Sequence, residues 1–111
     1  MTVKLRRKDG RHPDLTVRQP YVVIGIEADD YRILNDLGRP YLYSRDLFKV
    51  VDAREPDDWL SEYGEEGERY AYPAPLNAPG FFEDFFDDRS KAIKVFWRVV
   101  NRRLAAFAAV A

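Results

Sequence analysis

The first half of the chain alternates between short apolar runs and polar turn formers. Some runs alternate apolar and polar residues, as a half-buried strand does, and others are continuous β-branched and aromatic stretches, as in a central strand. Residues 8–14 are turn formers and predict a long loop, and Asn-Asp-Leu-Gly at residues 35–38 predicts a hairpin turn. Short strands so close together predict a small barrel over residues 2–52. The five predicted strands lie at residues 3–7, 21–27, 31–34, 41–43 and 47–51.

After this part the pattern changes to an acidic, proline-containing segment at residues 53–88. Four of the seven prolines lie there, so we expect an irregular segment that covers the barrel surface. Residues 56–60 are typical of the start of a helical turn, with an early proline and acidic residues near the N-terminus. Residues 68–72 are compatible with one extra strand, and the aromatic spacing at residues 81–86 predicts a helix.

The last part of the chain has the clearest helical periodicity. Apolar residues recur from Ile93 to Phe107 on one arc, at about 100° per residue, and charged residues occupy the opposite arc. This pattern predicts an amphipathic helix over residues 89–108 that packs on the barrel. The sequence therefore predicts one mainly β, α+β domain over residues 1–111, built from a barrel, a covering segment and a terminal helix.

Composition excludes several kinds of chemistry, because the chain has no cysteine for disulfides, thiolate metal sites or nucleophilic catalysis. The one histidine, His12, lies in the predicted loop, where we expect a solvated side chain rather than a general base. Adjacent aspartates such as Asp29 and Asp30 lack the spacing of calcium ligands, and no glycine-rich phosphate loop is present. No apolar run is long enough for a membrane span or placed like a signal peptide. We therefore expect a cytoplasmic, non-enzymatic protein without catalytic residues, metal ligands or cofactors.

The net charge of −1 hides a strong segregation of charge along the chain. Residues 1–20 carry a balance of +4 and residues 89–111 a balance of +6, whereas residues 55–88 carry −10. One interpretation is that these charges neutralise one another in the fold and keep its faces solvated. The other is that the acidic stretch is presented to a basic partner.

The order of the predicted elements resembles a Src-homology-3-like (SH3-like) barrel. In such barrels a Leu-x-Val-x-x-Pro type of phrase leads from the long first loop to the second strand, as at residues 15–20. A single helical turn precedes the last strand, as at residues 44–47. However, the first loop has no aromatic residue, the hairpin has no tryptophan, and Leu47 stands where peptide-binding SH3 domains have a tyrosine. The resemblance therefore does not imply a groove for polyproline peptides.

The sequence from Tyr31 to Val51 is more similar to the small bacterial SH3-like proteins found among phage-borne genes and among the immunity proteins of toxin systems. No specific family among them is singled out by these residues. The resemblance implies a protein that binds one partner protein and blocks it.

An acidic and aromatic segment is the candidate partner-binding site. Its composition is that of aromatic anchors inside a charged rim. The alternative is that Trp59, Tyr70 and Tyr72 only cover the open end of the barrel. Our hypothesis is a non-catalytic inhibitor of the immunity or antitoxin type that captures a basic protein. The candidate residues are Trp59, Glu62, Tyr63, Glu65, Glu66, Glu68, Tyr70 and Tyr72.

Nucleic-acid binding is the alternative function. Small barrels often bind nucleic acid, and basic residues at the N-terminus, with those of the terminal helix, would neutralise phosphates. The acidic stretch would repel the same polymer unless it lay on the far side of the molecule. The residues for this alternative are Lys4, Arg6, Arg7, Lys8 and Arg11.

Overall fold

The chain forms a strand-rich first part and a helical last part. The computed structural model describes the backbone of residues 1–110 and the side chains of residues 1–106, so the side chain of Phe107 lies outside the described residues. Within this range the fold is mixed α+β, with seven strands in one antiparallel sheet and two α-helices. The elements are β1 (Thr2–Leu5), β2 (Tyr21–Glu27), β3 (Asp30–Leu34), β4 (Pro40–Ser44), β5 (Phe48–Asp52), β6 (Trp59–Tyr63), β7 (Arg69–Pro73), α1 (Phe81–Phe86) and α2 (Ser90–Val110).

The sheet has the strand order β4-β3-β2-β1-β5, and β2 is its branching strand. One edge of β2 pairs with β3. The other edge is shared, because β1 pairs with Tyr21 and Val22 and β7 pairs with Ile26 and Glu27. β1 has only four residues, so the main-chain groups at the end of β2 are satisfied by β7 instead.

All five predicted strands are present as β1–β5, but the predicted five-stranded barrel is not confirmed. The sheet is open: within residues 1–110 no pairing joins β4 to β5, which a closed barrel would require. The two further strands, β7 and then β6, extend it on the side of β2 that β1 leaves free.

The segment at residues 53–88 is more regular than its prolines and acidic residues indicate. The helical turn predicted at residues 56–60 is wrong, since Trp59 and Leu60 begin β6. Trp59 and Tyr63 are of residue types that are enriched in strands, although the sequence between them does not alternate, and a turn with Gly67 at φ +81° joins β6 to β7. The extra strand near residues 68–72 and the short helix at residues 81–86 are confirmed as β7 and α1.

Two apolar cores lie on opposite faces of β2 and β7. Because successive side chains of a strand point to opposite faces, Val23 and Ala71 enter the first core, while Ile24 and Tyr72 enter the second. The second core lies between the sheet and the helices, and the predicted terminal helix is confirmed as α2. Of its described apolar arc, Phe96 and Val100 are buried there, and Ile93, Trp97 and Leu104 are partly buried. The buried residues of the second core are Ile24, Tyr72, Leu76, Phe81, Phe85, Ala92, Phe96 and Val100.

A buried polar cluster links β2, β3 and β7 beside the second core. Arg32, of which 6% is exposed, donates to a carboxylate oxygen of Glu27 (2.6 Å) and to the hydroxyl of Tyr72 (2.9 Å). The Tyr72 hydroxyl donates to the same Glu27 oxygen (2.6 Å). Gly25 makes room for this arrangement, because a Cβ there would lie 2.2 Å from the Tyr72 ring. The positive charge of Arg32 is therefore balanced inside the fold by one carboxylate.

The long loop between β1 and β2 is tied to the β3–β4 hairpin. Asn35 is buried and donates to the Tyr43 hydroxyl (3.0 Å) and to the Asp14 carboxylate (3.1 Å). The side-chain oxygen of Asn35 accepts from the main-chain N–H groups of Leu37 and Arg39, both at 3.0 Å. Residues 35–38 thus form the predicted turn, and its asparagine also fixes the position of the loop.

Buried tyrosine hydroxyls are expected to make the fold sensitive to alkali. Burial raises the pKa of Tyr72 above its ordinary value of 10.0, so the fold favours the neutral phenol. The resulting stability is fully present below about pH 10 and is lost as the pH rises further, since the unfolded chain then releases this proton more readily. We expect the urea midpoint of unfolding to fall above about pH 10, and to fall less steeply in Tyr72→Phe. Tyr63→Phe, which removes an exposed hydroxyl, is the control and should keep the wild-type slope; equal slopes in all three proteins would contradict the assignment.

Candidate functional site

The β6–β7 hairpin carries the predicted partner-binding residues, but some of them are buried in the two cores and the others lie at the surface. Trp59 is buried in the first core and Tyr72 in the second. Their rings are therefore part of the fold and not available as surface anchors. The alternative from the sequence, in which they and Tyr70 cover the open end of a barrel, also gives them a structural role but not this placement in two cores. The hairpin pairs Glu62 with Tyr70, and Tyr70 is half-buried.

The outer strand of the hairpin exposes two large apolar side chains. Tyr63 is 69% exposed and Leu60 is 52% exposed. Leu60 shares its face of β6 with Glu62, which is also exposed, whereas Tyr63 lies on the opposite face. Tyr63 was predicted as a binding residue, whereas the sequence analysis missed Leu60. Leu60 was missed because residues 56–60 were interpreted as a helical turn, so the strand β6 that exposes its side chain was not predicted.

The four predicted carboxylates lie on one end of the hairpin. Glu65 and Glu66 are exposed in its turn. The carboxylate of Glu68 accepts from the Glu66 main-chain N–H (3.1 Å), and that of Glu62 accepts from the Asn77 amide (3.4 Å). Within the described residues none of these four carboxylates forms an ion pair. The hairpin turn therefore carries uncompensated negative charge.

Two other acidic residues of the same segment, Glu55 and Asp58, are neutralised. Glu55 binds the guanidinium of Arg69 through both carboxylate oxygens, each at 2.6 Å, and Asp58 binds Arg103 at 2.7 Å. The hydrogen bonds from Arg69 hold the pKa of the Glu55 carboxyl below its usual value. Arg69 also donates to the Ser61 hydroxyl (2.9 Å), so the one cation of the hairpin is already engaged. Asp57, Glu83, Asp84, Asp87 and Asp88 also form no ion pair within the described residues. The acidic turn is therefore one of the unpaired acidic parts of the segment, and it directly follows the exposed Tyr63.

The residues of the nucleic-acid alternative lie mostly together. Arg6, Arg7, Lys8 and Arg11 line one surface cleft with Asp9, Asp46 and Leu47. Arg11 is held by Asp9 (2.9 Å), whose pKa the hydrogen bonds from Arg11 lower to about 2. Lys4 lies on β1 directly opposite Lys49 of β5. We call these cations, including Lys4 and Lys49, which repel one another across the strand pair, the basic surface.

The comparisons with known proteins assign no family to this fold and site. No family model, no curated protein and no solved structure matches the chain. Within the described residues no helix is long and apolar enough to cross a membrane. That part of the chain also holds no cluster of three acidic, histidine or cysteine side chains that would bind a metal ion.

Proposed function

We propose that this protein is a non-catalytic binding domain that captures a basic protein through the outer surface of the β6–β7 hairpin. The supporting observation is that this hairpin carries four carboxylates that form no ion pair within the described residues, together with the exposed Leu60 on one face of β6 and the exposed Tyr63 on the other. An exposed tyrosine is a common anchor of protein interfaces, since it contributes large apolar area and a hydroxyl. Surrounding carboxylates accelerate the approach of a basic partner and add charge-assisted hydrogen bonds.

We also propose that β1–β5 form an SH3-like unit to which the hairpin and the helices are added. The strand order β4-β3-β2-β1-β5 and the 3₁₀ turn at Arg45–Leu47 before β5 support this interpretation. In this proposal the protein acts like the immunity or antitoxin proteins that it resembles, by blocking its partner. The partner-binding surface then belongs to the part added to the SH3-like unit, rather than to the unit itself.

Charge reversal in the hairpin turn is expected to abolish capture of the partner without unfolding the protein. Glu65→Lys/Glu66→Lys changes two exposed side chains that bind nothing within the described residues, so the free energy of unfolding should change by less than about 0.5 kcal/mol. Repulsion of a basic partner should reduce capture by about tenfold or more. The measurement is a pull-down from the source lysate with quantitative mass spectrometry. Glu68 is left unchanged because its carboxylate accepts a turn hydrogen bond.

The matched control is Asp84→Lys/Asp87→Lys, which changes the net charge equally at two exposed residues, one on α1 and one directly after it, and should leave capture intact. Equal capture by all three proteins would contradict the proposed site.

The basic surface with Lys4 and Lys49 supports the nucleic-acid alternative, which predicts retention on immobilised DNA or RNA at low salt and its loss at higher salt. Such retention, together with unchanged capture in the hairpin variant, would favour that alternative.

A further inference from the structure

β6 is an edge strand with an open side. One edge of β6 pairs with β7, and within the described residues no strand pairs with the other edge. The Gly64 N–H donates to the Glu68 carbonyl (2.9 Å). This bond shows which residue pairs of the β6–β7 ladder are hydrogen-bonded, and we call that pattern the phase of the ladder. In an antiparallel ladder, hydrogen-bonded pairs alternate with non-bonded pairs. The main chain of Leu60 and Glu62 therefore faces β7, and that of Ser61 and Tyr63 faces the open edge.

The other side of β7 gives the same phase. The Ala28 N–H donates to the Arg69 carbonyl (2.8 Å), so the main chain of Arg69 faces β2. Tyr63, which pairs with Arg69, is then in a non-bonded pair with β7. Trp59 is consistent with this phase, because its N–H donates to the Pro56 carbonyl (3.4 Å) instead of to β7.

The open edge of β6 carries the charged Glu62 but lacks the lysine, proline or bulge that protects many edge strands. Proteins protect such edges with lysine, proline or a bulge. β4 begins with Pro40, and β5 contains Lys49 and pairs irregularly with β1. β6 instead pairs with β7 in regular register over five residues, contains neither proline nor lysine, and exposes Leu60 and Tyr63.

We propose that the partner adds an extended, basic segment as a further strand along the open edge of β6. This inference rests on the proposed function and specifies how the hairpin surface binds. The main-chain groups of Ser61 and Tyr63 would pair with the added strand, and its basic side chains would lie near Glu62, Glu65 and Glu66. A second copy of this chain is a poor occupant, because its β6 contains no basic residue that could neutralise Glu62 across the paired strands.

The test uses a short synthetic peptide of alternating lysine and valine as the added strand. Ser61→Pro removes an N–H that faces the open edge, and proline is tolerated on an edge strand. Ser61→Ala keeps that N–H but loses the hydroxyl that accepts from Arg69, so it is the matched control. We expect Ser61→Pro to weaken peptide binding by about tenfold or more and Ser61→Ala to change it by less than about twofold. Equal binding by the two variants, or no binding of the peptide at low salt, would overturn the proposal.

Amide hydrogen exchange followed by NMR tests the same proposal without a variant that could misfold. In the wild-type protein, the peptide should slow exchange of the Ser61 and Tyr63 N–H groups and leave that of Glu62, already bonded to β7, nearly unchanged. If Glu65→Lys/Glu66→Lys abolishes partner capture but the peptide protects neither amide, the proposed function stands and strand addition is wrong. If the charge reversal has no effect either, both proposals fail. Dimerisation of the free protein through β6, measured by sedimentation, would also overturn the choice of occupant.

Discussion

Replacing Phe96 by alanine is expected to lower the free energy of unfolding by about 3–5 kcal/mol, the largest effect that we predict for a single substitution. Phe96 is completely buried on α2, and its ring centroid lies 4.6 Å from that of Phe85 and 6.2 Å from that of Phe82. The second core has one helical layer over it, so the lost ring would leave a cavity between α2 and the sheet. The measurement is urea unfolding followed by circular dichroism.

The control for this substitution is Lys94→Ala, which changes an exposed residue of the same helix and should cost less than about 0.5 kcal/mol. A second readout is binding of a hydrophobic dye, which should increase in Phe96→Ala as Ile24 and Tyr72 become accessible. A loss of less than about 1 kcal/mol, without dye binding, would show that α2 does not hold the second core together.

Replacing Glu27 by alanine is expected to lower the free energy of unfolding by about 2–4 kcal/mol. The substitution leaves the buried Arg32 guanidinium without its carboxylate, although the Tyr72 hydroxyl, the Pro40 carbonyl (2.9 Å) and the Phe82 ring (3.9 Å to its centroid) remain beside it. Neutral acceptors and a ring face do not replace a counter-charge in a buried site. The expected value is below that for a fully buried pair, because 29% of the Glu27 side chain is exposed.

Glu55→Ala is the matched control, because it removes a carboxylate from an equally short but more exposed ion pair with Arg69. We expect this loss to be below about 1 kcal/mol. In Glu27→Leu/Arg32→Met both charges are replaced, so the double variant should be more stable than Glu27→Ala. Similar losses for Glu27→Ala and Glu55→Ala would contradict the role of the buried cluster.

The candidate site was only partly predictable from the sequence. The acidic residues Glu62, Glu65 and Glu66 and the exposed Tyr63 were found by composition, since charge and aromatic content are visible without a fold. Trp59 and Tyr72 were grouped with them, although they belong to two different cores. Alternation within a strand shows that two neighbours face opposite ways, but it does not show which faces another layer covers.

Whether the strands close into a barrel could likewise not be predicted from the local sequence pattern. Five strands and their turns follow from hydrophobic alternation and turn residues, but closure depends on which strand edges pair. Here β7 occupies the end of β2, and β6, which the sequence did not predict, becomes an outer edge. Pairing between residues more than forty positions apart, such as Ile26 with Ala71, is set by the whole sheet rather than by either sequence.

The amino-acid sequence by itself determined the strands of the first half, the amphipathic terminal helix and the separation of basic ends from an acidic middle. These features depend on side chains that are neighbours along the chain, so periodicity and composition are sufficient to predict them. Only the tertiary structure decided that Arg32 is buried against Glu27, that Trp59 and Tyr72 are core residues, and which carboxylates lack a cation. The reason is that burial and ion pairing depend on groups from distant segments, and these meet only when β7 and the helices pack against β2.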